Sequence, residues 1–212
     1  MEETDLGEFW DAKYAGDKTL WGTRPVAIVA ECRELFLRHG VQSILIPAVG
    51  YGRNAKDFSE NGFRVDGIEI SDEAINIGRI FAPQVNFIKG NVLEMELPGT
   101  YDAVFCCDIL QILLKHERKM LLDRCLRHCK PGGLILISCL AKTDVLFGKG
   151  REIEKDTFEG SGGLHFHYAD EGEMRDAYPE LEVVKLGSFS EEYEGGVRKD
   201  RVYVFFGPSY RR

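Results

Sequence analysis

The feature that most constrains the fold is a short apolar run that ends in two closely spaced glycines. Residues 44–54 read ILIPAVGYGRN, a run typical of a buried strand followed by Gly50-x-Gly52 and the start of a helical pattern. Glycines at these positions let the backbone approach a ligand, and the first turn of the next helix offers free N–H groups. The stretch therefore predicts a strand–loop–helix unit of the nucleotide-binding type.

Strand-like and helical patterns alternate along most of the remaining chain. Apolar runs typical of strands occupy residues 41–46, 64–70, 85–91, 101–110 and 133–140, and helical patterns occupy 25–38, 53–60, 72–81 and 116–129. Such an alternation indicates a parallel sheet covered on both faces. Two further runs, 181–194 and 201–207, flank Gly195-Gly196 and predict an antiparallel hairpin. The predicted fold class is α/β, with a doubly wound, mostly parallel seven-stranded sheet and a C-terminal antiparallel hairpin.

The length of 212 residues suits one domain better than two. We expect residues 1–212 to form a single domain in which 1–40 are a helical cap and 142–168 a lid-like insertion. Residues 142–168 are rich in glycine and charge and show no clear period. A loop of that length in a compact domain is usually a lid, a binding loop or disordered.

Charge and cysteine content limit the partners and the location. The net charge of −8, without a dense Lys/Arg run, disfavours nucleic-acid binding. No apolar run approaches the roughly 20 residues that cross a bilayer, and the acidic start of the chain is unlike a signal peptide. The six cysteines form no C-x-x-C pair, which indicates reduced thiols. We therefore expect a cytoplasmic monomer or homodimer that binds a small molecule and neither nucleic acid nor membrane.

A carboxylate stands at the end of the second predicted strand. Glu69 follows Gly50 by 19 residues, a distance that places it to accept hydrogen bonds from both ribose hydroxyls of an adenosine. The strand, the glycines and this acid together predict a nucleotide-type cofactor. Both NAD(P) and S-adenosyl-L-methionine (SAM) fit this geometry.

Two further features follow in the second half of the chain. Lys130-Pro131-Gly132-Gly133 is predicted to turn the chain between a helix and the fifth strand, and an antiparallel hairpin closes the chain. This arrangement resembles the class I SAM-dependent methyltransferases, and the resemblance spans about residues 9–208. A dehydrogenase normally needs a further substrate domain, for which this length leaves little room. FWDAKYAGDKTLWGTRP, LIPAVGYGRN and GKGREIE resemble segments of small-molecule methyltransferases of the thiopurine and tellurite-resistance type.

The resemblance implies SAM as the cofactor and a set of residues that contact it. Gly50 and Gly52 would pack against the methionine portion, Glu69 would bind the ribose, Ile70 the adenine, and Asp108 would line the methionine end. The complete set of expected cofactor-binding residues is Ala48, Gly50, Gly52, Arg53, Asn54, Glu69, Ile70, Asn91, Val92, Asp108, Trp21 and Arg24. The acid that usually accompanies the glycine loop is missing, so another group must orient the methionine ammonium.

Aromatic residues near the N-terminus are candidates for a cap over the active site. Trp10, Tyr14 and Trp21, with Arg24, lie in the segment that carries the resemblance. Aromatic faces attract a sulfonium through cation–π interaction. Plain packing of an N-terminal helix on the sheet is the equal alternative.

The candidate catalytic residues are Tyr14, His165, His167 and Arg198. The two histidines would share one face of an extended strand, as pocket-lining or acid–base groups or as structural imidazoles. No metal is expected, because no carboxylate or thiol stands at ligand spacing from them. Arg198, with Lys199 and Arg201, stands where tellurite-type relatives place substrate-contacting basic residues, although an exposed hairpin is the alternative.

The predicted function is SAM-dependent methyl transfer to a small-molecule acceptor. A thiol or chalcogen is an expected kind of acceptor, because a soft nucleophile ionises easily. An NAD(P)-binding oxidoreductase and a catalytically inactive cofactor-binding protein on the same fold are the alternatives.

Overall fold

Helices and strands alternate along the chain. The computed structural model describes residues 3–160, 163–193 and 197–207. Its α-helices are α1 (Glu3–Gly16), α2 (Ile28–Arg38), α3 (Arg53–Glu60), α4 (Asp72–Phe81), α5 (Lys115–His128) and α6 (Glu171–Arg175), with a 3₁₀ turn at Leu110–Ile112. Its strands are β1 (Ser43–Pro47), β2 (Arg64–Glu69), β3 (Asn86–Lys89), β4 (Tyr101–Cys106), β5 (Cys129–Ala141), β6 (Glu152–Glu154), β7 (Thr157–Glu159), β8 (His165–Ala169), β9 (Glu182–Tyr193) and β10 (Val197–Gly207). Within these ranges no helix is both long and apolar enough to cross a membrane.

Seven of the strands form the predicted sheet. Hydrogen-bonded neighbours follow the order β3-β2-β1-β4-β5-β10-β9, parallel from β3 to β5 and antiparallel at β10 and β9. The turn expected at Gly195-Gly196 lies outside the described residues. The predicted α/β class, with a mostly parallel sheet and a closing hairpin, is confirmed.

Burial on both faces explains why the central strands are largely apolar. All five residues of β1 are buried. Helices α2 and α3 cover one face, where the rings of Phe36 and Phe58 are fully buried with centroids 5.7 Å apart. Helices α5 and α6 cover the other face, where Leu121 is fully buried. Each such side chain stabilises the fold by about 1.5–3 kcal/mol.

The Pro131-Gly132-Gly133 segment differs from the turn expected before the fifth strand. It lies inside β5 and bulges out where the register between β4 and β5 shifts. The φ of Gly132 is +80°. A Cβ on Gly133 would lie 2.7 Å from the carbonyl oxygen of Asp102 in β4. The segment is therefore a bulge between paired residues, and Gly133 is required by the close approach of the neighbouring strand.

The segment expected to be an aperiodic insertion contains regular structure. β6, β7 and β8 form a small antiparallel meander, and β8 pairs in parallel with the last two residues of β5, beyond the last residue that pairs with β4. Lys142 stabilises this arrangement through two ion pairs: its Nζ lies 2.9 Å from an oxygen of Asp156 and 2.8 Å from one of Asp170. Strands of three to five residues are too short to display a period. A lid role for 142–168 stays a prediction.

Candidate cofactor and active site

The loop between β1 and α3 contains three residues in the left-handed region of backbone space. The φ angles of Ala48, Gly50 and Gly52 are +52°, +58° and +85°. A Cβ on Gly52 would lie 3.0 Å from the ring of Phe87 and 3.1 Å from the methyl of Ala82. Gly52 is thus needed for both its conformation and its packing. Ala48 adopts the same region at a cost of about 1–2 kcal/mol, because its Cβ crowds the backbone there.

The Glu69 carboxylate lies directly beside this loop. Its Oε2 accepts a hydrogen bond from the Gly50 N–H at 2.8 Å, and its Oε1 accepts one from the Ser71 N–H at 2.8 Å. Burial raises the pKa of Glu69, while these backbone N–H groups act in the opposite direction. A carboxylate has about four lone-pair sites, so acceptor capacity remains beside these bonds. The carboxylate can therefore accept hydrogen bonds from the ribose diol of an adenosine.

The N-terminal helix covers the glycine loop through Tyr14. The Oη of Tyr14 lies 3.0 Å from where a Cβ of Gly50 would stand, and it accepts a hydrogen bond from Trp21 Nε1 at 3.4 Å. Its ring meets that of Tyr51 edge-on at 5.9 Å. Burial, and next the charge of Glu69, raises the pKa of Tyr14. The phenol is therefore uncharged at neutral pH and acts as a hydrogen-bonding group.

Asp11 anchors the same helix to the first turn of α4. Its Oδ1 accepts hydrogen bonds from Ser71 Oγ at 2.6 Å and from the Glu73 N–H at 3.0 Å. Ile70 lies under the helix, since a Cβ on Gly7 would be 3.5 Å from the Ile70 carbonyl oxygen. The helix thus covers the end of β2, where the resemblance places the adenine.

The remaining cap residues lie at the rim. The Trp21 side chain is exposed, and its carbonyl oxygen accepts a hydrogen bond from Arg53 Nη1 at 2.5 Å. Arg24 is exposed on the surface. Contact of either side chain with the cofactor stays a prediction.

Four charged side chains close a ring at the carboxyl edge of the sheet, and we call them the charge ring: Arg53, Asp108, Glu191 and Arg201. Arg53 Nη1 lies 2.9 Å from Glu191 Oε1, and Glu191 Oε2 lies 3.4 Å from Arg201 Nη1. Arg201 Nε lies 2.5 Å from Asp108 Oδ1, and Asp108 Oδ2 lies 3.9 Å from Arg53 Nη2. The sequence pointed to Arg53 and Asp108, and to Arg201 only as a hairpin cation. It missed Glu191, because only the pairing of β9 with β10 brings that residue here.

Three expected cofactor residues hold the fold in the structure. Asn54 Oδ1 accepts a hydrogen bond from the Val26 N–H at 3.0 Å, so this amide fixes the approach to α2. Asn91 Oδ1 accepts one from the Leu93 N–H at 3.0 Å and closes a turn. Val92 is buried in the core. In this arrangement the Asn54 side chain is used in a hydrogen bond within the protein, and the Val92 side chain is packed in the core.

The region that follows β4 contains two buried polar atoms that could bind a ligand. Gln111 Oε1 and His165 Nε2 are buried without a hydrogen-bond partner among the described residues. The 3₁₀ turn that carries Gln111 packs against β8, which begins at His165. Gln111 Nε2 donates to Asp108 Oδ1 at 3.4 Å and so connects this region to the charge ring. Burial lowers the pKa of His165, which keeps its imidazole neutral at pH 7. Gln111 carried no signal in the sequence.

His167 and Arg198 are held by neighbours. His167 Nδ1 lies 3.0 Å from Thr157 Oγ1 and Nε2 lies 2.7 Å from Glu173 Oε1, so this buried imidazole joins β8 to β7 and α6. Arg198 is exposed, and its Nε donates to Asp200 at 2.8 Å within its own hairpin. Over the described ranges, no three His, Cys, Asp or Glu side chains gather as a metal site requires. Of the two histidines, His165 is the one with a nitrogen left for a ligand.

The chain matches known proteins over the part that forms this site. Residues 44–133 match the family model described as a methyltransferase domain. This part of the chain resembles a methyltransferase domain. SAM is the cofactor of such enzymes, so the cofactor predicted from the sequence is confirmed at the level of the family. The matched range of the methyltransferase domain begins in β1 and ends in the bulge of β5, and includes the glycine loop, Glu69 and Asp108.

Curated and solved relatives resemble this methyltransferase domain at low identity. A ubiquinone biosynthesis O-methyltransferase of Colwellia psychrerythraea is 29% identical over 114 residues, which are 50% of this chain and 46% of the relative. The chain thus spans about half the length of that curated relative. Magnesium protoporphyrin IX methyltransferase of Synechocystis, solved with bound S-adenosylhomocysteine (SAH), has a TM-score of 0.73 at 14% identity over 98% of this chain and 100% of the other. TehB of Haemophilus influenzae has a TM-score of 0.67 at 13% identity over 87% of this chain and 63% of the other.

Proposed function

We propose that the domain transfers a methyl group from SAM to a small-molecule acceptor whose nucleophile carries a proton, such as a phenolic hydroxyl or a thiol. The observation that carries this proposal is the Glu69 carboxylate, which two backbone N–H groups fix beside the glycine loop. Its remaining lone pairs can accept hydrogen bonds from the hydroxyls of a ribose diol. The match to the methyltransferase family supports the same conclusion.

The chain's own residues have three tasks in such a reaction: they bind the donor, exclude water and take up a proton. When bound, SAM supplies a methyl group that is open to in-line displacement. Gly50 and Gly52 allow the left-handed backbone of the loop, and Tyr14 and Trp21 supply aromatic groups beside it that suit a positive charge. Correct placement of the nucleophile contributes up to roughly 7–11 kcal/mol in ideal intramolecular cases.

We assign the acceptor side to His165 and Gln111. A neutral His165 can receive the proton of the nucleophile at Nε2 in the tautomer that carries hydrogen on Nδ1, while Gln111 Oε1 can accept a hydrogen bond from the acceptor. A phenol needs such a proton acceptor more than a selenide or telluride does, because the latter ionise without help. The name of the Colwellia relative also supports an oxygen nucleophile. We therefore place a hydroxyl first, a thiol second and a chalcogen third.

Methyl transfer from radiolabelled SAM to a panel of phenols, catechols, thiols and a selenide tests this function. His165→Asn is expected to lower turnover of phenols at least tenfold and to leave a pre-ionised selenide unaffected. His116→Asn, a substitution on the exposed surface of α5, is the matched control. Equal losses for phenol and selenide would contradict the role of His165 as proton acceptor.

Ligand binding separates the two alternative functions. Thermal stabilisation by SAH is expected, and stabilisation by NADPH alone would overturn the proposal in favour of an oxidoreductase. Binding of SAH without turnover across the whole panel would instead support a cofactor-binding protein that lacks catalysis.

We also propose that the protein acts in the cytoplasm, as a monomer or homodimer, on a diffusible small molecule rather than on nucleic acid. The net charge of −8 supports the choice of substrate class, because nucleic-acid binders present a basic surface. Light scattering after gel filtration measures the mass against the 24.0 kDa of one chain.

A further inference from the structure

The glycine loop offers no carboxylate to a ligand. Ile46, at the position before Pro47, is buried in the apolar core at the end of β1, and the loop continues as Ala48-Val49-Gly50-Tyr51-Gly52. The amino-acid end of SAM carries one ammonium and one carboxylate group. An ammonium needs an anionic partner in a partly buried site, so that partner must come from another element.

The charge ring lies where such a partner is needed. Arg53 is the first residue of α3, directly after Gly52, and Asp108 follows the end of β4, the strand that pairs with β1. The ring therefore lies between the glycine loop and the end of β4. Asp108 is held there in the left-handed region with a φ of +62°, and its N–H lies 3.4 Å from Ser138 Oγ.

The charges of the ring match a zwitterion. Two guanidinium groups alternate with two carboxylates, so the ring has no net charge and favours neither a free anion nor a free cation. The arginine side chains are 9% and 4% exposed, whereas Asp108 is 23% and Glu191 14% exposed. The carboxylates are thus the more accessible members, and they are the groups that an ammonium would contact.

The ring also has a weak contact on the side of the loop. Three of its ion pairs measure 2.5, 2.9 and 3.4 Å, but Arg53 Nη2 and Asp108 Oδ2 are 3.9 Å apart. A ligand group inserted there separates two charges whose direct attraction is the smallest in the ring. Arg53 is also bound to the Trp21 carbonyl and Glu191, so it keeps its orientation when that contact opens.

We propose that the charge ring binds the amino-acid end of SAM, with Asp108 and Glu191 accepting the ammonium and Arg53 pairing with the carboxylate. This inference rests on the proposed function, because it needs SAM as the ligand. In this proposal Glu191, on a strand of the C-terminal hairpin, supplies the carboxylate that the glycine loop lacks. Arg201 is then a positioning residue, since it orients both carboxylates.

The test compares two ligands by calorimetry on the full chain: SAH, and 5′-methylthioadenosine, which has the adenosine half without the amino-acid end. Glu191→Gln and Asp108→Asn are expected to lower SAH affinity about tenfold or more and to leave 5′-methylthioadenosine affinity unchanged. Glu192→Gln, at the exposed neighbouring position in β9, is the matched control and is expected to change neither.

The two ligands keep the possible outcomes apart. A variant that is merely destabilised loses affinity for both ligands in parallel, which would overturn the assignment, as would unchanged SAH affinity in both ring variants. Failure of the wild-type protein to bind either ligand would instead overturn the proposed function itself.

Discussion

Glu69 accepts a 2.8 Å hydrogen bond at Oε2 from the backbone N–H of Gly50, nineteen residues earlier in the chain. The bond ties the end of β2 to the turn that follows β1. Because the same carboxylate also accepts from Ser71, its orientation is set before any ligand arrives. Such preorganisation reduces the entropy that binding would otherwise cost.

Replacement of this carboxylate is expected to weaken cofactor binding. Glu69→Ala removes two acceptors from the ribose and should cost about 1.5–3 kcal/mol, or about ten- to hundredfold in SAH affinity by calorimetry. The change in unfolding free energy should be smaller, because loss of a buried charge offsets loss of two bonds. Glu60→Ala, at a half-exposed carboxylate paired with Lys56, is the control. Unchanged affinity in Glu69→Ala would show that the ribose is held elsewhere.

Replacement of Gly50 tests whether the contact between the glycine loop and the N-terminal helix contributes to cofactor binding. Gly50→Ala and Gly148→Ala both place a Cβ on a left-handed backbone, at φ of +58° and +77°, and each should lose about 1–2 kcal/mol of unfolding free energy. Only Gly50→Ala places the methyl against Tyr14, since Gly148 has nothing within 4 Å of that position. SAH affinity should therefore fall in Gly50→Ala alone. A similar fall in both variants would assign the effect to general destabilisation.

Replacement of Ala48 by glycine is expected to stabilise the protein. Ala48→Gly relieves the left-handed strain at the cost of greater freedom in the unfolded chain, for a net gain of about 0.5–1 kcal/mol. Urea unfolding at pH 7 measures it as a higher midpoint at an unchanged m-value. A lower midpoint would show that the Ala48 methyl stabilises the loop through packing by more than its backbone strain costs.

The stability of the fold is expected to depend on pH through Asp102. This residue lies at the opposite edge of the sheet from the candidate cofactor site, so the effect is independent of cofactor binding. Burial acts to raise its pKa, but bonds to Lys130, Ser43 and the Gln42 N–H override it and lower the value from 3.8 to about 2. The folded pKa lies below the unfolded one, so the stabilisation is present above pH 3.8 and is lost as the pH falls toward 2.

The matching measurement is urea unfolding of wild type and Asp102→Asn at several pH values. Allowing for partial exposure of the carboxylate, the wild type should exceed the variant by about 1–2 kcal/mol at pH 7, and this difference should shrink below pH 4. SAH affinity should be equal in both proteins. A difference that is constant with pH would indicate that the lost hydrogen bonds, and not the charge, account for it.

Local patterns predicted the elements whose stability is mainly local. The helices at 53–60 and 72–81 have those bounds in the structure, because an amphipathic period and a cap such as Ser71, which accepts from the Ala74 N–H, act within a few residues. The glycine loop and Glu69 were found for the same reason, since a turn and a strand end fix them.

Elements that depend on distant pairing were harder to predict. β6, β7 and β8 are too short for a period and exist through contacts with one another and with β5. Glu191 looks like any exposed acid in the run Ser190-Glu191-Glu192 until the register with β10 places it beside Arg201. The spacing of residues along the sequence does not show which side chains lie next to each other across the sheet.

The charge ring draws its members from residues 53, 108, 191 and 201, and the last two belong to the hairpin, which is synthesised after the first two. Domains generally fold as units during synthesis, and a nascent chain that has not yet paired β9 with β10 has only half of the ring. If the ring holds the amino-acid end of SAM, the protein gains full affinity for its donor only when its C-terminal hairpin has docked. Donor binding would then follow the folding of the hairpin, since domains in which β9 and β10 have not yet paired would compete poorly for SAM.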